Sequence, residues 1–215
     1  MKALPWAGFL AAILLTASWS GLELAGTRAA VKAPQITAFS TKPAVYVNDF
    51  EIDVVPANPV NKPEEDPHKQ ASRLVELMST KVVAALEKAG YTATRMHAGD
   101  TRPDSGVGIR GMFAEVDSEN HWRRAVIHTA TDSGKMQALV AVSNLAKPDQ
   151  ALYEIAHLPG NEPGPGAVVT LSSYVPLTKY DLSKDAKEDA FQQIASRIVK
   201  DLTDLLERNP AAIPQ

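Results

Sequence analysis

Apolar side chains at Ala71, Leu74, Val75, Met78, Val82, Ala85, Leu86 and Ala89 recur every three or four residues, the spacing that lays one stripe along a helix of about six turns. Asp66-Pro67 precedes it with a capping carboxylate and a proline at the first helical position, where the missing N–H costs nothing, and Gly90 supplies a left-handed stop. A second stripe, Ala190, Ile194, Ile198, Leu202 and Leu205, predicts a helix that Ser183 caps, that Asp185, Glu188 and Asp189 favour through its dipole, and that Asn209-Pro210 ends.

Elsewhere the period is that of strands. Ala44 to Phe50 places Val45 and Val47 on one face and Tyr46 and Phe50 on the other; with both faces apolar, the strand belongs inside a sheet. Tyr91 to Met96 follows the first helix as another strand. From Gly106 to Tyr174 the alternation runs through Val107, Ile109, Gly111 and Phe113, then Trp122, Arg124, Val126 and His128, then Met136, Ala138, Val140 and Val142, with further strands at Tyr153 to His157 and Ala167 to Tyr174. Asp117-Ser-Glu-Asn120 and Asp132-Ser-Gly134 are turn chemistry of the kind that joins adjacent antiparallel strands. Pro56, Pro59, Pro63 and Pro67 punctuate Val54 to Pro67, and Pro159 to Gly166 is dense in proline and glycine, so both are irregular loops. The expected fold is α+β: a mixed, mainly antiparallel sheet, β-α-β followed by a meander, with two long helices on one face.

The first residues follow a different logic. Met1-Lys2 is basic, Leu4 to Trp19 is almost wholly apolar, and small residues stand at Thr16 and Ser18 and again at Thr27 and Ala29, the order of a secretory signal peptide over residues 1–29 with two possible exits. The alternative is an uncleaved inner-membrane anchor over residues 4–24 facing the periplasm, because that stretch approaches the roughly 20 residues a spanning helix needs. No later segment is apolar enough to span. Residues 36–209 are then expected as one exported, most simply periplasmic, domain and 210–215 as a disordered tail. The chain has no cysteine, so disulfides cannot hold that domain and an ordinary core must. A formal charge of −3 from 22 basic and 25 acidic residues argues against a nucleic-acid partner, which calls for a basic field.

Candidate chemistry is sparse. Gly106-Val-Gly-Ile-Arg-Gly111 spells a dinucleotide fingerprint but runs into a strand, so no helix terminus is there to hold phosphate and strand-opening glycines are the better reading. The five histidines, His68, His97, His121, His128 and His157, form no i, i+4 pair and give no metal motif; the acids of Glu64 to His68 are explained by a solvated loop leading to a helix start. No G-x-S-x-G elbow occurs, and Ser133 sits in a turn. Paired-carboxylate glycosidase chemistry is spatial rather than sequential, but aromatics to line a sugar cleft are few. No catalytic residue, cofactor or metal ligand is therefore assigned. His121-Trp-Arg-Arg124 is the one local cluster, since an aromatic beside guanidiniums grips carboxylates, phosphates or headgroups; Trp122, Arg123 and Arg124 are the candidate partner-binding residues. Alternation puts Trp122 and Arg124 on one face and Arg123 on the other, and the plainer reading is a strand start paired with Glu115, Asp117 or Glu119.

Val45-Tyr-Val-Asn-Asp-Phe50, the helix closing on Glu87-Lys-Ala-Gly-Tyr91, and Gly111-Met-Phe-Ala-Glu-Val-Asp117 leading into the arginines resemble the bacterial envelope family called domain of unknown function 4410. Members of that family usually carry a glycine-rich run where this chain has His128 to Gly134. The resemblance implies an exported α/β domain akin to the amino-terminal domain of TolB, with no catalysis to carry over. The expectation is a non-enzymatic accessory module that binds another envelope protein through a sheet edge or the proline-glycine loops; the alternative is a small-ligand binding or hydrolytic protein. A pocket where His, Asp and Arg converge favours the second, and an apolar strip beside an unpaired strand favours the first.

Overall fold

The computed structural model describes residues 43–55, 66–147, 151–156, 164–173 and 177–208. They belong to one of two compact units of the chain, Lys32–Gln215. The signal segment 1–29, most of the Val54–Pro67 loop, the first half of the Pro159–Gly166 loop and the tail 210–215 lie outside the described residues; Val54, expected to open its loop, belongs to a short strand, Asp53–Val54.

The first helix, α1 (Pro67–Lys88), has its N-cap at Asp66, whose carboxylate accepts from the His68 amide at 2.9 Å. It ends at Gly90 with φ 83°. The Gly90 amide donates to the Glu87 carbonyl and the Tyr91 amide to the Leu86 carbonyl, the paired bonds of a glycine-ended helix. The expected stripe is the buried one, with Leu74, Met78, Val82 and Leu86 fully enclosed.

The strands are β1 (Val45–Asn48), β2 (Asp53–Val54), β3 (Ala93–Met96), β4 (Val107–Val116), β5 (Trp122–Arg124), β6 (Val126–Ile127), β7 (Lys135–Asn144), β8 (Tyr153–Ile155), β9 (Val168–Leu171) and β10 (Leu177–Ser183). Eight form one sheet with the path β10-β7-β4-β5-β9-β8, while β1 lies between β3 and β4 in parallel with both. The strand β4 is the seam. Along one edge it pairs antiparallel with β7 from Val107 to Ala114, and along the other it pairs first with β1 and then, from Ala114 to Val116, with β5.

Mixed pairing and two helices on one face are as the periodicity implies. Val45, Val47, Ile109, Phe113, Ala138 and Tyr180 pack beneath Leu74, Met78, Ile198 and Leu202. Tyr180 also ties β10 to α2 (Glu188–Arg208): its hydroxyl donates to Asp201 at 2.7 Å, and Arg197 lies 4.9 Å from its ring centroid. The opposite face of β4 and β7 is covered too, because Leu152, Tyr153, Val169 and Leu171 of the β8–β9 hairpin close over Met112, Ala114, Leu139 and Ala141.

Four details depart from the expected course. The Asp117 turn does join paired neighbours, β4 and β5, but the Asp132 turn carries the chain across to the far edge of β4 instead of to the strand beside β5. The expected 122–128 strand breaks at Ala125: β5 stays with β4, while β6 pairs with β2 in a separate two-stranded sheet. Ser183, expected to cap the last helix, ends the strand Leu177–Ser183 instead, and α2 begins at Glu188. Finally, Phe50 joins the helix-side core with Val45 and Val47. Val47 aligns with Ile109 and Glu51 with Met112; the extra residue is a bulge, which turns Phe50 to the other face. Its ring lies over Gly111, where a Cβ would collide with it.

Candidate functional site

The three residues of β5 diverge, as alternation requires. On one side the Arg123 guanidinium donates to Asp117 at 2.7 Å and to the Gly166 carbonyl at 3.2 Å. The amide of His121, the Arg123 guanidinium and the amide of Glu119 hold the Asp117 carboxyl down at about 2. On the other side Arg124 meets Asp53 at 3.0 Å and the Tyr153 hydroxyl at 3.2 Å, and that hydroxyl donates to Glu51 at 2.6 Å. Burial together with Glu51 raises the Tyr153 hydroxyl above its ordinary value. Trp122 carries the Lys179 ammonium 4.2 Å from its ring centroid. Of Glu115, Asp117 and Glu119, the acids expected beside the strand start, Asp117 meets Arg123; Asp53, Glu51 and Tyr153 are brought to Arg124 by folding alone. The cluster stitches β2, β5, β8 and β9 together, with its charges neutralised internally.

A second polar knot has a buried lysine at its centre. Lys184 is 4% exposed, and its ammonium meets Glu115 at 2.7 Å, Asp132 at 3.2 Å and the Val126 carbonyl at 2.6 Å. The backbone of the same residue is also engaged: its amide donates to the Gly134 carbonyl and its carbonyl accepts from Gln70. Ser133, a turn residue in the sequence, accepts through its carbonyl from the Ser183 hydroxyl at 3.2 Å. The knot thus fastens the end of β4, the Asp132 turn and the β10–α2 junction to one point.

Beside it opens a groove of about 750 Å³ between the ends of β4, β7 and β10 and the start of α2. Val116, Met136, Leu182 and Ala190 give it apolar walls, with Lys135 and Asp181 at its rim. Val116 is 46% exposed, the one large apolar side chain so open among the described residues. The groove crosses the strand ends and reaches the last residues of β10, Asp181 to Ser183, a strand with no neighbour on its outer edge among the described residues. Since the Lys184 amide points inward to β7 and antiparallel pairing alternates, the amides of Lys179 and Asp181 point outward along that edge.

The glycine fingerprint lies in β4, facing Tyr46, Leu145 and the Phe50 ring rather than a helix start. His97 bonds to Asp49 at 2.9 Å and His121 lies 3.5 Å from Asp117 and Glu119, but no group of three metal-binding side chains assembles among the described residues. No helix there is long and apolar enough to cross a membrane.

Three comparisons bear on this arrangement. The model of the family described as Domain of unknown function (DUF4410) matches residues 45–178, from β1 to the start of β10 and so more than half of the chain. Among solved structures, the chain is similar to a neuraminyllactose-binding hemagglutinin homolog from Helicobacter pylori, at 9% identity and a TM-score of 0.31 over 81% of this chain and 93% of that one. No curated protein matches.

Proposed function

The chain belongs to the DUF4410 family, and on that footing we propose that it is a non-enzymatic envelope module that captures an extended segment of another envelope protein along β10. The observation that carries this reading is the apolar groove beside an edge strand whose outward amides have no strand partner among the described residues. Such an edge recruits a peptide through backbone hydrogen bonds, while a neighbouring pocket selects its side chains. Asp181, which is exposed, places a charge on the edge that guards it against indiscriminate pairing, so the fitting segment offers a base opposite Asp181.

The edge is testable without disturbing the fold. Proline at an edge position whose N–H faces solvent removes no ladder bond. Asp181→Pro should therefore melt close to the parent, yet eliminate the discrete adduct that a photo-crosslinking side chain at Val116 forms with a partner in intact cells. An adduct that survives Asp181→Pro unchanged rejects strand addition along β10.

Export is part of the same proposal and rests on the basic start, apolar middle and small-residue exits of residues 1–29. Amino-terminal sequencing of the protein from the periplasmic fraction should begin near Ala30 or Trp19. Recovery of intact Met1 in a fraction that needs detergent would instead support the anchor.

A further inference from the structure

Between the C-terminal half of α2 and the sheet, where Thr178 of β10 pairs with Val140 of β7, lies a crevice of about 310 Å³. Val140, Val142, Ile198 and Leu202 give it apolar walls, Thr178 and Tyr180 line it from β10, and the exposed Arg208 completes it. We propose that this crevice receives an aromatic side chain of the segment captured along β10, three residues from the base that meets Asp181. The inference rests on that capture and adds the side chain by which the segment is selected.

Three observations select that class. The first is delivery. Tyr180 lies in the helix-side core, and strand residues alternate between faces, so Thr178 faces the helices while Asp181 faces away from them. Cross-strand neighbours share a face; a residue paired opposite Thr178 therefore enters beside the crevice, three positions from the one opposite Asp181. The second is capacity. Since a water occupies about 30 Å³ of liquid, the space holds about ten heavy atoms, enough for an aromatic ring and its methylene, and the Tyr180 hydroxyl is already satisfied by Asp201 at 2.7 Å, so an apolar body suits it. The third is Arg208. On the same helix the Arg197 guanidinium lies 4.9 Å from the Tyr180 ring centroid. About three turns further along, Arg208 returns to the same side of α2, and its Nε is held by the Asp204 carbonyl at 2.9 Å. Among the described residues no ring lies against it. A guanidinium favours an aromatic face, so the incoming ring takes under Arg208 the place that Tyr180 takes under Arg197.

Amide NMR of the full chain, titrated with peptides at fixed ionic strength, tests this. The probes are acetyl-Thr-Arg-Val-Thr-Phe-Thr-amide for antiparallel pairing, its reversed sequence for parallel pairing, and the isomer acetyl-Thr-Arg-Val-Phe-Thr-Thr-amide, which sends the ring to the other face. One of the first two should give saturable shifts at Thr178, Asp181 and Leu202 and bind at least about tenfold more tightly than the isomer, the factor expected for burying an aromatic side chain. Arg208→Gln should weaken that peptide about two- to fivefold, and Val142→Phe, which fills the crevice, should remove the preference for it. Equal binding of all three peptides with shifts along β10 overturns the aromatic pocket and leaves strand capture standing, as does a preference that survives both variants unchanged. Absence of saturation with every peptide, or shifts confined to residues away from β10, overturns both.

Discussion

Lys184→Met should destabilise the protein by about 3 to 5 kcal/mol, because it leaves the carboxylates of Glu115 and Asp132 without the buried cation between them. That is a large share of the 5 to 15 kcal/mol typical of a domain, and urea denaturation at pH 7 should show it as a lowered midpoint. Replacing the whole knot, as Lys184→Met with Glu115→Gln and Asp132→Asn, should recover part of the loss, since no charge is then stranded. A triple variant no better than the single one would mean that the lysine acts through packing rather than charge.

The pH dependence of this effect has a definite sign. Burial opposes ionisation of Asp132, but the Gly134 amide, the Lys184 ammonium and the His128 amide outweigh it and hold the carboxyl below its ordinary 3.8. A carboxyl depressed by folding contributes stability that is full above the unfolded value and is lost as pH falls through the folded one. The parent should lose this contribution below about pH 4, whereas Lys184→Met has less of it to lose. The two stability curves should therefore converge on acidification, and a gap that stays constant to pH 3 would contradict the assignment.

Ile198→Ala and Leu202→Ala should each cost about 2 to 5 kcal/mol, the range for buried aliphatic side chains that leave a cavity. Both are at most 2% exposed and lie against the sheet. Leu205, on the same stripe but only partly buried, gives the internal contrast and should cost less. Chemical denaturation in which Ile198→Ala and Leu202→Ala stay within about half a kcal/mol of the parent, as surface changes do, would reassign the buried face of α2.

The helices are legible in the sequence because their information is local: a stripe, a capping aspartate and a terminal glycine lie within one turn of what they control. The sheet is less so. Leu177 to Ser183 alternates well enough, yet Ser183, Asp185 and Glu188 together resemble a helix start, and only pairing with β7 decides for a strand. Phe50 shows how one bulged residue inverts a face, and nothing within Val45 to Phe50 encodes the offset against β4. The same holds for polar contacts. Asp117 and Arg123 are near neighbours and the pair can be anticipated; Asp53 with Arg124, or Glu115 and Asp132 with Lys184, join segments whose proximity is a product of topology.

The position of β4 at the seam also governs when the fold can be completed as the chain grows. β1 is made first among the described strands, but both its neighbours, β3 and β4, come later, and β4 must wait for β7 along its other edge. The helical layer over Ile109 and Phe113 closes only with α2, the last described element. Contacts so distant in sequence bear the full entropy of loop closure before they are rewarded, which slows folding. Native packing of this design therefore cannot be completed until residues beyond Glu188 have been made.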